Sequence, residues 1–234
     1  MQKIISLSQF FLVILFLLLA SSVSLTQAQD KIEGPWYWMI VETAKKGGGA
    51  AVTNDDWIKE VTGGKLTEKT VAKGGITKQV LSVKNKNKLK WTKGKIAPAG
   101  GNNVNDAVLK MKLGVGDLNN WCSYAVINCV SKTAKKGVAA RAGSDDGLKI
   151  WFNGKEVHVN AVDRGAGDFQ DNFDVDLKKG NNVLMVKVTE KGGGWSMFVG
   201  IDAKLTYNLK FAGLAVEAES KLATSWGSIK NQNR

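Results

Sequence analysis

From Trp121 onward the apolar residues of this chain fall into short alternating or continuous runs separated by turn residues, the pattern of β-strands. Runs at 124–130, 137–142, 173–177, 183–189, 195–201 and 203–209 are each expected to form one strand. The clearest element is a hairpin. Leu148, Ile150 and Phe152 alternate with Lys149 and Trp151, and Asn153-Gly154 supplies the two positive-φ residues of a type I′ turn. Strict alternation on the return strand predicts that Leu148, Ile150, Val157 and Val159 face the core. It also places Trp151 opposite Glu156 and Lys149 opposite His158 on the other face.

Before Trp121 the rhythm is mixed. An aromatic-rich strand is expected at 35–41, and a Gly/Lys loop follows at 45–51. Asn54-Asp55 reads as the cap of a short helix carrying Trp57, Ile58 and Val61 and closed by Gly63-Gly64. A second helix begins near Thr67 and ends at Gly74-Gly75. Residues 89–96 read as a strand, 100–106 as a polar loop, and 108–113 fit either helix or strand. The expected fold is therefore mainly β: an antiparallel β-sandwich or jelly roll at 29–209, with a helical and loop-rich N-terminal elaboration over 29–120 and a motif-bearing part over 121–209. Residues 210–234 form a tail in which 217–229 has the spacing of a short helix.

The first 28 residues read as a secretory signal peptide, with Lys3 ahead of an apolar run and Thr26-Gln27-Ala28 as a small-x-Ala cleavage site. The run at 10–20 is shorter than the ~20 residues a membrane span needs. A secreted or periplasmic product with no transmembrane span after cleavage is expected. Cys122 and Cys129 lie on one expected strand, seven steps apart and pointing to opposite faces, so they are expected to pack as free thiols rather than pair.

The net charge is +12, carried almost wholly by lysine, with Arg141, Arg164 and Arg234 the only arginines. Nucleic-acid recognition concentrates arginine and aromatics on one element. A dispersed lysine coat is solvating instead, and the Lys/Asn alternation at 84–90 suits a charged edge strand. No nucleic-acid partner is expected. With one histidine and no nucleophile-elbow, zinc-helix or C-x-x-C motif, catalysis finds little support, although a two-carboxylate glycosidase leaves no local motif to detect.

Two stretches carry a resemblance. Ile150-Trp151-Phe152-Asn153-Gly154-Lys155-Glu156-Val157, followed by Gly180-Asn181-Asn182-Val183-Leu184, is similar to the hairpin and later turn of the galactose-binding-like β-sandwich superfamily, which includes non-catalytic domains attached to glycoside hydrolases. Ser144-Asp145-Asp146-Gly147 resembles the opening of this hairpin in PA14-type sandwiches. In some yeast adhesins of that type, neighbouring aspartates hold a calcium ion that grips a sugar. The resemblance implies a non-catalytic module for an extracellular glycan or matrix polymer.

Candidate ligand-binding residues are Trp151, Arg164, Lys149, Glu156 and His158. The alternative for this group is ordinary cross-strand pairing with the indole covered. Asp145 and Asp146 are candidate calcium ligands, with Asp163, Asp168 and Asp171 available to help. The alternative there is a turn in which one aspartate caps backbone N–H groups. For Arg164 the alternative is a salt bridge to Asp163 or Asp168. A structural or assembly role with an envelope protein as partner is the second reading of function, and a glycan-active enzyme the third.

Overall fold

The computed structural model describes residues 30–43, 46–83, 90–113 and 115–214. The expected signal peptide, most of the lysine-rich run at 84–90 and the expected tail helix lie outside them. Among the described residues, ten strands form two antiparallel sheets: β1 (Trp36–Glu42), β2 (Thr92–Gly94), β3 (Trp121–Ser131), β4 (Lys135–Asp145), β5 (Gly147–Phe152), β6 (Lys155–Asn160), β7 (Asp171–Leu177), β8 (Gly180–Glu190), β9 (Ser196–Ile201) and β10 (Leu205–Asn208). The large sheet runs β2-β1-β3-β8-β5-β6, with β10 sharing the β1 edge of β3, and the small sheet runs β7-β4-β9. The mainly β sandwich is thus present.

Strand alternation gives the large sheet two buried faces. Ala125, Ile127 and Cys129 of β3, Leu184, Val186 and Val188 of β8, and Leu148, Ile150 and Phe152 of β5 pack toward the small sheet with Trp36, Trp38 and Trp195. On the other face Cys122, Tyr124, Val126, Met185 and Trp151 pack under three short helices: α1 (Trp57–Val61), α2 (Glu68–Gly74) and α3 (Lys78–Ser82). The N-terminal elaboration is therefore a third layer with its own core. Cys122 and Cys129 are both free and buried, one in each core.

Local sequence explains the helical layer. Thr67 and Thr70 cap α2 reciprocally, side chain to backbone in both directions. The α1 cap falls one residue beyond the expected pair, on Asp56, whose carboxylate accepts from the Lys59 N–H. Residues 103–106, read from sequence as loop, and 108–110, which fit either helix or strand, form one helix, α4 (Asn103–Lys110). Val104, Ala107 and Val108 are its buried stripe, a spacing that the surrounding Asn and Asp residues obscure.

A buried polar cluster fastens the helices to the sheet. Lys187 is fully buried; its ammonium donates to the carbonyls of Thr53 and Asp55 and to Glu68 Oε1, the last at 2.9 Å. Tyr124 Oη donates to the same Glu68 oxygen at 2.6 Å and accepts from the Trp57 N–H. Burial raises the Glu68 carboxyl despite the adjacent ammonium, and burial drives the Tyr124 phenol well above its usual value.

Candidate cation site at the sheet crossovers

Among the described residues, three connections cross between the sheets at the same end of the sandwich, after β4, β6 and β8, and those after β4 and β8 carry the site. The chain leaves the small sheet at the end of β4 and enters the large one at Gly147. It leaves the large sheet at Glu190 and re-enters the small one at Ser196. Register makes the two crossings neighbours, because Gly147 pairs with Thr189 across β5 and β8 while Asp145 pairs with Ser196 across β4 and β9. Asp145 and Asp146, joined by a cis peptide bond, form the first crossing, and Glu190 begins the second. One carboxylate oxygen from each of the three lies within 4.8 Å of the others.

Backbone N–H groups hold the aspartates. Asp146 accepts from Arg164 N at 2.9 Å and Lys191 N at 2.8 Å, one on each oxygen, and Asp145 accepts from Ala166 N at 3.2 Å. Glu190 is different. It is 1% exposed, and neither carboxylate oxygen has a hydrogen-bond partner of good geometry. Burial, reinforced by the charges of Asp146 and Asp145, pushes its carboxyl up to about 8, with only partial relief from the Gly192 N–H. Asp145 is pushed up to about 6 by burial and then by Asp146, and burial also raises Asp146. Three carboxylates that cannot all ionise without help make a poor structural joint and a fitting cage for a hard cation.

Further oxygens line the recess. A Cβ on Gly194 would stand 2.8 Å from Asp145 Oδ2, 2.9 Å from the Gly101 carbonyl oxygen and 3.3 Å from Asn102 Oδ1. On another side the glycine loop after β1 closes in, where a Cβ on Gly48 would come within 2.0 Å of the Glu190 carbonyl oxygen. Asp163 anchors this wall by accepting from the Ala50 N–H and pairing with Lys191 at 2.7 Å. Those hydrogen bonds, the one from Lys191 first, hold its carboxyl below the usual range.

The structure therefore brings Asp145 and Asp146 together with Glu190, which the sequence reading missed. Glu190 ends an apolar strand like any solvated terminal residue, and only the register across β5, β8 and β3 shows that it points between the sheets. The aspartates expected to help do other work: Asp163 holds the loop wall, Asp168 pairs with Lys31 at 2.7 Å, and Asp171 pairs with Arg164. Arg164 is thus engaged in an internal ion pair, with a partner other than the two expected from sequence.

The hairpin face needs correction. Trp151 is 5% exposed and belongs to the core beneath the helices, so its ring offers no open stacking surface. α2 lies over the hairpin closely enough that a Cβ on Gly154 would come within 2.9 Å of Lys73 Cβ. The expected pairing of Trp151 with Glu156 is present, but a bulge between the Ile150 and Trp151 pairings shifts the return strand, so that Ile150 opposes His158 and Lys149 opposes Val159. His158 consequently turns to the sandwich side and stacks on Phe173 with ring centroids 5.4 Å apart, whereas Val159 becomes exposed. Lys149 and Glu156 remain on the helix side as a salt bridge of 3.0 Å, with the ammonium 5.3 Å from the Trp151 ring centroid.

No family model matches the chain, and no curated protein matches it. Among solved structures it is similar to the PA14 domain of the MpAFP antifreeze protein, with 12% identity, 80% of this chain and 92% of that one covered, and a TM-score of 0.43. It is also similar to a PA14 sugar-binding domain from an RTX adhesin, with 16% identity, 53% and 77% covered, and a TM-score of 0.33. At these values the mainly β assignment rests on the two antiparallel sheets themselves.

Proposed function

We propose that this protein is a non-catalytic binding module that holds a calcium ion among Asp145, Asp146 and Glu190 and uses it to engage an extracellular glycan. The observation that carries the reading is Glu190: a carboxylate withdrawn from solvent, with no well-formed hydrogen bond on either oxygen, beside two further carboxylates. Leaving such a group unsatisfied is costly, and a divalent cation supplies what the fold withholds. The donors are all oxygens, which suits Ca²⁺ rather than a thiolate- or imidazole-seeking metal. Calcium takes six to eight oxygens, more than three carboxylates provide. The Gly101 carbonyl and Asn102 Oδ1 lie in the same recess, and vicinal sugar hydroxyls are suitable donors for the remaining positions. Export fits the leader read at residues 1–28.

The test is calorimetric titration of Ca²⁺ into metal-free protein, followed by a glycan array run with and without calcium. Calcium should raise Tm, by the equivalent of about 2.7 kcal/mol at a hundredfold excess over Kd, and Glu190→Gln should abolish most of that rise. Neither heat nor a Tm change with the wild-type protein would remove the cation site. Glycan signals that survive calcium withdrawal would separate sugar binding from it.

A further inference from the structure

The loop at 161–170 supplies two of the N–H groups that hold the carboxylates, and its conformation depends on a side-chain relay outside the cluster. Arg164 is turned inward, with its side chain 15% exposed; one guanidinium nitrogen donates to Ser144 Oγ at 2.8 Å and to Asp171 Oδ2. Asp171, with a side chain 7% exposed, accepts from Asn160 Nδ2 at 2.7 Å on its other oxygen, and His158 Nε2 stands 3.4 Å from that same oxygen. Burial alone would raise the Asp171 carboxyl, but hydrogen bonds from Arg164 and Asn160 and the nearby charges more than offset it and hold it below the usual range. Ser144 Oγ in turn donates to the Asp146 carbonyl at 2.6 Å.

The loop lies close against β4. A Cβ on Gly143 would come within 2.0 Å of the Gly167 carbonyl oxygen, and Gln170 ties the end of the loop to its middle and to β4 by donating to the Gly165 carbonyl and accepting from Ser144 N. In this pose the main-chain N–H groups of Arg164 and Ala166 meet Asp146 and Asp145.

We infer that Asp171 is a positioning residue for the cation cluster: by clamping the Arg164 guanidinium it fixes the loop whose backbone aims both aspartates at Glu190. This rests on the cation reading above. The two aspartates repel one another and Glu190, so without the clamp Asp145 loses the Ala166 N–H that holds it and Asp146 keeps only its bond from Lys191 N, and the cation must then bear the cost of gathering them. Asp168 provides an internal comparison, because it anchors the same loop through an ion pair to Lys31 rather than through Arg164.

Full-length wild type, Asp171→Asn, Arg164→Lys and Asp168→Asn would be titrated with Ca²⁺, and amide hydrogen exchange followed in the metal-free proteins. Asp171→Asn should weaken calcium binding ~10–100-fold, the range for groups that orient metal ligands from outside the coordination sphere. The Arg164 and Ala166 amides should exchange faster while those of β3 and β8 keep their protection, and Asp168→Asn should stay near wild type. Should Asp171→Asn fail to fold, Arg164→Lys carries the test, since a point-charge ammonium does not reproduce the guanidinium contacts. Unchanged calcium affinity in the clamp variants, or an equal loss in Asp168→Asn, would overturn the inference. A wild type that binds no calcium would instead take down the cation reading, leaving the amide exchange to report on the clamp alone.

Discussion

The β5–β6 hairpin and the crossover end use similar materials, acids beside cations with a tryptophan nearby, and the fold treats them oppositely. At the hairpin, Lys149 finds Glu156 and α2 covers the indole, so the face closes on itself. At the crossovers Glu190 is buried with no well-formed hydrogen bond on either oxygen, next to two more carboxylates. Residue composition alone would rank the hairpin first, because an exposed ring with polar neighbours is what a sugar site needs. Accounting for partners reverses the order: a group whose bonds are met has no need of a ligand, and a buried group whose bonds are unmet does.

The largest effect that tests this contrast is Trp151→Ala. Removing a buried indole should cost about 3–5 kcal/mol, seen as a fall in the urea midpoint. Calcium affinity, measured where the variant is still folded, should not change. A stable variant with lost glycan binding would restore the hairpin as the ligand face and break the comparison.

What the sequence shows and hides follows from the range of each cause. Asn153-Gly154, the Thr67 cap, the continuous apolar run of β3 and the alternation along β5 are local, so hairpin, helix and strand can be read residue by residue. Whether Trp151 meets water depends on α2, which precedes it by about eighty positions in the chain and carries no mark of where it will dock. The Val159 and His158 exchange follows from one bulge, which alternation cannot anticipate. Asp145 and Asp146 stand out as an adjacent acidic pair, but Glu190 joins them only through strand register. The Lys187 and Glu68 pair that docks the helices looks, in sequence, like two more surface charges among many.

A middle-sized effect is the pH dependence at the crossover end. The Glu190 carboxyl moves from 4.5 to about 8, and that of Asp145 from 3.8 to about 6. Between each pair of values the folded protein retains a proton that the unfolded chain has lost. Metal-free stability from these groups should therefore decline as pH rises, across roughly pH 4 to 6 for Asp145 and pH 4.5 to 8 for Glu190. Saturating calcium should reverse the trend toward the upper end, where the carboxylates ionise onto the cation, so the Tm gap between metal-free and loaded protein should widen with pH. Glu190→Gln should flatten the metal-free decline. A metal-free Tm that climbs through this window would contradict the crowding of the three carboxylates.

The smallest effect belongs to the hairpin ion pair and probes the comparison from its quiet side. Glu156 has a side chain 46% exposed, whereas Lys149 keeps 11% and lies along the Trp151 ring. Half the pair is thus solvated, and Glu156→Gln should cost only about 0.2–1 kcal/mol, most of it gone at high salt. The ammonium would keep its place, because its charge faces the ring. Urea melts at low and high salt would read this difference. A loss that persists undiminished in high salt would mean the pair is shielded by more than its own exposure suggests, and would bring the hairpin closer in character to the buried Lys187 and Glu68 pair beneath the helices.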